Sequence, residues 1–236
     1  MTAKKKRKGF EGTVIRLCKE IASIQRKRNW REMKESDLLF ELVATILGSQ
    51  VSYEMAKAAA DRLLSEGLLR KKKYKQETQL NALIEDALRK PLFQSSWGEI
   101  GRRYRFPKLR AYQISHTLNN IYSQGSLKDI LAKCSYSGDA RSEIVRTVLG
   151  IGPKQASLFL RNVGYTDDLA ILDIHVLRYM NICGMADIIS SPSKISDYEI
   201  LENRLLEYSF ELGVPLGCLD QAIWVTMRVA GKEAMI

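Results

Sequence analysis

The sequence predicts an all-α protein, and three observations support that prediction. Most apolar residues recur every three or four positions, the helical period, and few segments alternate apolar and polar residues as strands do. Glycine and proline fall between these periodic segments, where they begin or end helices. Hydrophobic residues make up 45% and charged residues 27% of the 236 positions, a composition that excludes a disordered or fibrous chain.

Ten helical segments are predicted in order from the amino end. The first, Phe10 to about Lys27, carries a single apolar stripe. Ser36-Asp37 is predicted to cap the second helix, Leu38 to Leu47. The remaining segments are bounded by glycine, proline or a capping side chain and cover 52–65, 81–88, 107–122, 139–148, 154–162, 174–180, 197–210 and 219–229.

The charge of the chain is strongly positive but concentrated. Lysine and arginine total 37 and acidic residues 27, which leaves a net charge of +10 and favours a polyanionic partner. Two runs, 4–8 and 70–75, hold ten positive charges between them. Without these runs the chain is nearly neutral, so charge alone supports nucleic-acid binding only weakly. A solvated tail, a nuclear-import signal or an expression remnant would explain the first run equally well.

The cysteines and histidines predict no metal cofactor. Four cysteines lie far apart with no C-x-x-C pair, a pattern that excludes a local zinc ribbon or compact iron–sulfur loop and indicates reduced thiols. Only two histidines are present. No run approaches the roughly 20 apolar residues of a membrane span, and the basic start is not followed by an apolar signal core. We therefore expect an intracellular protein with no membrane partner.

The turn LGIGP, residues 149–153, is the most informative local feature. Gly150 and Gly152 permit a tight reversal that exposes consecutive amides at a helix N-terminus, where a phosphate can bind. Many structural helix corners share this pattern. Lys154 follows on the first helical turn, where the helix dipole disfavours a protonated amine. A neutral lysine amine is a nucleophile able to form a Schiff base, although a phosphate contact would also place a lysine there.

Asp173 emerges from the apolar run AIL at 170–172 and precedes a predicted helix. Its position is that of a helix N-cap, which requires no catalytic role. Spacing alone therefore favours a structural role for Asp173.

Segments 148–165 (VLGIGPKQASLFLRNVGY) and 169–180 (LAILDIHVLRYM) resemble the helix-hairpin-helix (HhH-GPD) DNA glycosylase superfamily with its downstream Gly/Pro-Asp loop. They most resemble the second-type, archaeal-like 8-oxoguanine DNA glycosylase/AP lyases. Similar motifs occur at 42–50 (LVATILGSQ), 103–111 (RYRFPKLRA) and 219–224 (LDQAIW). The resemblance extends from about residue 37 to about 230.

The resemblance implies a two-lobed all-α base-excision-repair enzyme. A six-helix barrel is expected over 37–163, with the helix-hairpin-helix at about 140–163. A second lobe is expected from 10–36 plus 164–236, and 1–9 is expected to be a flexible basic tail. The implied partner is double-stranded DNA containing a damaged base, bound by a monomer in the cytoplasm and nucleoid, or in the nucleus if the tail is an import signal.

The resemblance also implies how the residues act on a nucleotide extruded from the duplex. Lys154 attacks C1′ and expels the base, and the resulting imine allows β-elimination of the 3′ phosphate. Asp173 assists the amine and stabilises positive charge on the sugar.

Other residues carry weaker expectations. The expected DNA contacts are Gln50, Gly150, Gly152, Lys108 and Arg110. The expected base-recognition residues are Trp224 and Asp220, although an aromatic residue on an apolar stripe is more often part of a core. His175 is expected to be structural.

The carboxyl end departs from the second-type pattern. Those enzymes typically end with a lysine whose terminal group helps form the lesion pocket, whereas here Lys232 is followed by four more residues. The same chemistry on another damaged base therefore stays open, as does a non-catalytic helix-hairpin-helix DNA-binding protein. The four-cysteine cluster of the endonuclease-III-like branch is absent from the sequence, so no iron–sulfur cluster is expected. A monovalent cation at the hairpin stays open.

Overall fold

The computed structural model of the protein describes residues 3–24, 28–70, 77–93, 102–187 and 192–230. Within these ranges it has eleven α-helices and no strand, which confirms the predicted all-α class. The helices are α1 Ala3–Ile24, α2 Glu35–Leu47, α3 Tyr53–Ser65, α4 Glu77–Arg89, α5 Pro107–Ser123, α6 Leu127–Ala132, α7 Ser137–Thr147, α8 Pro153–Asn162, α9 Ile174–Ile182, α10 Ile195–Leu212 and α11 Leu216–Ala230.

The chain divides into two compact units. The terminal unit comprises 1–28 and 152–236, and the central unit comprises 29–151. The predicted division put residues up to 163 with the barrel, whereas helix α8 belongs to the terminal unit. The reason is a long-range contact, because the Arg161 guanidinium near the end of α8 bonds to the Asp220 carboxylate and to the Gly217 carbonyl oxygen on α11.

In the terminal unit, α11 packs against α1, α9 and α10. The core between them is formed by fully buried side chains such as Val14, Leu177, Tyr198 and Leu219. Helix α11 starts at Leu216, earlier than predicted, and Gly217 allows its close approach to the chain, since a Cβ there would lie 2.8 Å from the Asp167 carbonyl oxygen. Helix α11 thus passes close to the chain that leads toward residue 173.

In the central unit, α2 packs against α3, α5 and α6, and α4 packs against α5. The short helix α6 was missed by the sequence prediction because six residues are too few to show a period. It is capped by Ser126, whose hydroxyl accepts a hydrogen bond from the Asp129 amide at 3.1 Å. The Glu35 carboxylate accepts two further amide hydrogen bonds at the start of α6, from Leu127 (2.7 Å) and Lys128 (3.2 Å).

Helices α1, α2 and α4 also begin earlier than predicted, at Ala3, Glu35 and Glu77. Helix α2 begins at Glu35, so Ser36-Asp37 lies inside its first turn and does not cap it. Acidic side chains in the first turn of a helix interact favourably with the helix dipole, and Glu35 and Asp37 occupy the first turn of α2, which explains its earlier start. Helix α1 begins at Ala3, so residues 3–9 extend the first helix instead of forming the expected flexible tail. Alanine, lysine and arginine are good helix formers, consistent with this extension. The basic run 71–75 lies outside the described residues.

Candidate active site

A pocket of about 450 Å³ in the terminal unit brings together the residues predicted to do chemistry and to recognise the base. Its volume falls within the range of roughly 300–1,000 Å³ that is typical of ligand sites. Four predicted residues line it: Lys154, Asp173, Asp220 and Trp224. The other lining residues are Leu158, Arg161, Asn162, Ile171 and Gln221.

Lys154 is the second residue of α8 and is half-buried. The proline before it occupies the first helical position, where its missing N–H costs nothing, and its fixed φ helps to start the helix at this point. The ammonium has neither an ion pair nor a hydrogen bond with any described residue. The amine therefore lies in the pocket wall near the positive end of the α8 dipole, and a ligand there would displace no partner among the described residues.

Asp173 is the N-cap of α9, as predicted. Its Oδ1 accepts hydrogen bonds from the backbone amides of His175 (2.9 Å) and Val176 (3.0 Å). The second oxygen, Oδ2, accepts no hydrogen bond from the described residues. One carboxylate oxygen is thus fixed by the helix, and the acceptor capacity of the other remains available to a ligand in the pocket.

Asp220 is buried in the same wall, 2% exposed. Its Oδ2 accepts from the Arg161 guanidinium and from the Ile171 amide at 2.6 Å, whereas its Oδ1 has no hydrogen-bond partner among the described residues. Burial raises the pKa of the Asp220 carboxyl to about 6, although the Arg161 cation opposes that shift. Asp220 therefore ties α8 and the chain at 171 to α11, and it retains one unused acceptor.

Trp224 forms an apolar part of the pocket and is half-buried. The His175 ring meets the indole edge-on, with centroids 6.4 Å apart and planes at 87°. The Arg228 guanidinium carbon lies 4.8 Å from the indole centroid. Because Trp224 lines the pocket, it is not an ordinary core aromatic residue.

The other predicted DNA contacts lie in the central unit, except for Gly152. Gln50 is exposed and has φ = 64°, a left-handed conformation that is uncommon outside glycine. Gly150 has φ = 87°, and the side chain of Gln113 occupies the space that a Cβ would need. Lys108 is exposed at the start of α5. The Gly152 amide donates to Gln155 Oε1 at 3.2 Å, so this predicted phosphate donor already has a partner.

The prediction that Arg110 contacts phosphate is wrong. The residue is 5% exposed, and its guanidinium donates to Gln113 Oε1 at 2.6 Å and to the Ser49 carbonyl oxygen at 3.3 Å. Helix periodicity explains the error, since Arg110 lies on the buried face of α5 with Ala111 and Ile114. Arg110 instead connects α5 to the residue that precedes Gln50.

Sequence reasoning missed Arg161, which lines the pocket, and Tyr198 and Glu202, which bond to the backbone at 170–172 beside it. Each makes hydrogen bonds to partners 26 to 59 positions away in the chain, so no local spacing could have revealed them.

No cluster of three or more metal-binding side chains occurs within the described ranges. The four cysteines all lie within the described ranges, and none of them forms a disulfide. In the described part of the chain, no helix is both long enough and apolar enough to span a membrane.

Comparison with known proteins matches residues 20–214 to the 8-oxoguanine DNA glycosylase family. An 8-oxoguanine DNA glycosylase/AP lyase of Sulfurisphaera tokodaii is 34% identical over 186 residues, which are 78% of each protein. The crystal structure of the Methanocaldococcus jannaschii 8-oxoguanine DNA glycosylase superposes with a TM-score of 0.71 at 27% identity, covering 95% of this chain and 94% of that one.

The M. jannaschii enzyme in complex with a 15mer DNA containing 8-oxoguanine gives a TM-score of 0.67 at 25% identity, over 96% of this chain and 97% of that one. These matches confirm the resemblance predicted from the hairpin and the aspartate segment. They also confirm the helix-hairpin-helix glycosylase fold. The chain belongs to the 8-oxoguanine DNA glycosylase family.

Proposed function

We propose that this protein is a bifunctional repair enzyme that excises 8-oxoguanine from duplex DNA and then nicks the strand at the resulting abasic site. The observation that carries the proposal is that Lys154 and Asp173 line the same pocket, each at the N-terminus of a helix. An amine nucleophile and a carboxylate are the two groups that a Schiff-base glycosylase needs.

Base removal begins with the neutral amine of Lys154. The amine nitrogen bonds to C1′ of the extruded nucleotide, and the C1′–N9 bond breaks with its electron pair going to the base. The proton released by the amine balances the charge on the departing base. The Asp173 carboxylate stabilises the positive charge that develops on the sugar, while its Oδ1 stays bound to the start of α9.

Strand nicking follows from the same covalent bond. Opening of the sugar ring gives an imine between C1′ and the lysine nitrogen, which accepts electrons from the adjacent carbon. A base removes a C2′ proton, the C3′–O bond breaks, and its electron pair leaves with the phosphate. Water then hydrolyses the imine and releases Lys154.

Base recognition in this proposal uses the remainder of the pocket wall. Trp224 offers an aromatic surface on which the extruded base stacks. Asp220 contributes its unpartnered Oδ1 as a hydrogen-bond acceptor for an N–H of the base.

The DNA contacts in this proposal are weaker. Gln50 and Lys108 are exposed on the central unit, and the Gly150 and Gly152 amides bind a phosphate if Gln155 yields the Gly152 bond. We propose action as a monomer, without an iron–sulfur cluster or membrane partner, and inside the cell with its DNA. A monovalent cation at the hairpin stays a prediction.

Borohydride trapping on a duplex containing one 8-oxoguanine tests the proposal. The native protein should give a stable protein–DNA adduct, and Lys154→Gln should give none because its amide cannot form an imine. Lys194→Gln, which removes an exposed lysine of the same unit, is the matched control and should trap normally. An adduct from Lys154→Gln, or none from native protein bound to the duplex, would contradict the proposal. Adducts only with other lesions would keep the chemistry and change the substrate.

A further inference from the structure

The chain at 170–172, between α8 and α9, is held in an unusual way. Each of its three consecutive backbone amides donates to a side chain, at 2.8, 2.6 and 2.9 Å respectively. The acceptors, in order, are Glu202 Oε1, Asp220 Oδ2 and the Tyr198 hydroxyl. Two of the acceptors come from α10 and one from α11.

The Tyr198 hydroxyl acts on this segment twice. It accepts from the Leu172 amide at 2.9 Å and donates to the Ala170 carbonyl oxygen at 2.8 Å. One oxygen therefore fixes the backbone on both sides of Ile171 and immediately before Asp173. Tyr198 is fully buried and does not line the pocket, so it contacts the segment from the core side.

Burying a polar side chain costs free energy unless the side chain is hydrogen-bonded. Here the buried polar side chains accept hydrogen bonds from the backbone amides of one short segment, 170–172. Glu202 is 7% exposed and Asp220 is 2% exposed. An extended segment needs only some acceptor for each amide, whereas acceptors on two rigid helices also fix its path. The residue whose position this path determines is Asp173, since its own amide closes the segment on the Ile171 carbonyl oxygen at 2.9 Å.

We propose that Tyr198 is a positioning residue for Asp173. Its hydroxyl holds the backbone at 170–172 so that the Asp173 carboxylate stays at a fixed distance and angle from the reacting sugar. The inference rests on the proposed function and deepens it. Reaction rates depend steeply on such placement, and a displacement near 1 Å is enough to lower a rate by about a hundredfold.

The experiment compares Tyr198→Phe with Tyr179→Phe. Each change removes one hydroxyl from a fully buried tyrosine of the same core, but the Tyr179 hydroxyl bonds to Tyr208 (3.0 Å) and not to 170–172. We measure single-turnover excision of 8-oxoguanine, affinity for a duplex carrying a tetrahydrofuran abasic analogue, and thermal melting. Tyr198→Phe should slow excision about tenfold with little change in affinity, and Tyr179→Phe should slow it less than twofold at a similar loss of melting temperature.

A double-mutant cycle separates positioning from general destabilisation. In an Asp173→Asn background, Tyr198→Phe should slow excision by less than twofold further, because the carboxylate that it positions is already absent. Equal slowing by the two phenylalanine variants, or a full tenfold loss in the Asp173→Asn background, would overturn the inference. Absence of excision by the native protein would instead remove the proposed function, and the inference with it.

Discussion

Arg161 of the terminal unit and Arg110 of the central unit both have buried side chains, but they are held in different ways. Arg161, 8% exposed at its side chain, bonds to the Asp220 carboxylate in the pocket wall. Arg110, 5% exposed, donates to neutral oxygens of Gln113 and Ser49 and forms no ion pair with the described residues. Arg161 therefore forms an ion pair with a carboxylate beside the proposed catalytic residues, whereas Arg110 holds the loop at Ser49.

This difference shows that a positively charged residue in the sequence is not by itself evidence of a binding site. The pocket keeps polar capacity for a ligand, namely the Lys154 amine, the second oxygen of Asp173 and Oδ1 of Asp220. At Arg110 two of the three guanidinium nitrogens are already bonded to the protein, and Nε is buried. A binding group is thus identified by unused hydrogen-bonding capacity at an accessible place, and not by charge alone.

Removing the Asp173 charge should give the largest effect. Asp173→Asn keeps an N-cap, since asparagine caps as well as aspartate, so the melting temperature should change little. The single-turnover excision rate should fall by about 10² to 10⁴, the range typical for a catalytic acid or base. A rate within threefold of native, measured by gel assay of excised product, would show that Asp173 is only a cap.

The pH dependence of the unfolding free energy tests whether burial or the Arg161 cation dominates the pKa of Asp220. Because burial raises the pKa of Asp220 from 3.8 to about 6, the folded protein keeps a proton that the unfolded chain has lost between these values. This contribution is present below about pH 4 and lost as the pH rises through about 6. The unfolding free energy of native protein minus that of Asp220→Asn should therefore fall by about 3 kcal/mol from pH 3.5 to pH 7.

Urea unfolding at several pH values measures this difference, and Asp187→Asn, at an exposed position, is the control. A native-minus-variant difference that stays flat, or that rises with pH, would mean that the Arg161 cation outweighs burial.

Arg110→Met should destabilise the protein by about 2 kcal/mol, because it breaks two charge-assisted hydrogen bonds, to the Gln113 side chain and to the partly buried Ser49 carbonyl oxygen. The urea midpoint measures this loss. Lys108→Met, two residues away and exposed, should leave the midpoint unchanged. Similar midpoints for the two variants would mean that Arg110 does not hold the Ser49 loop.

Lys108→Gln should give the smallest effect. If Lys108 contacts phosphate, affinity for undamaged duplex should fall a few-fold at low salt, and the slope of log K against log salt should decrease by about one. Titration by fluorescence anisotropy at three salt concentrations measures both quantities. An unchanged slope would remove Lys108 from the DNA surface.

Much of the fold was predictable, because the signals that begin helices are local. The Pro153 start of α8 and the Asp173 cap of α9 follow from residues within a few positions of each other. The burial of Arg110 could also have been predicted from the sequence. Lys108 and Arg110 are two positions apart and so face different directions on α5, and Arg110 shares the apolar stripe of that helix.

The hydrogen bonds that hold the backbone before Asp173 could not be predicted from the sequence. Tyr198 and Glu202 bond to backbone atoms 26 to 32 residues away, and such contacts leave no period in a sequence. The unit boundary was missed for the same reason, because it depends on the bond between Arg161 and Asp220 across 59 positions. The candidate catalytic residues could be predicted from the sequence, but the residues that hold them in place could not.

The bond from Asp220 to both Arg161 and the Ile171 amide has a consequence for loop length. Helix α8, which carries Lys154, and the segment that ends at Asp173 are joined through α11, so the nineteen-residue separation of the two residues does not set their distance. The length of the exposed connection after Asp168 therefore does not determine that distance. Insertions after Asp168 should leave the geometry of the reacting pair intact, and relatives with longer spacings would be expected to keep the same pocket.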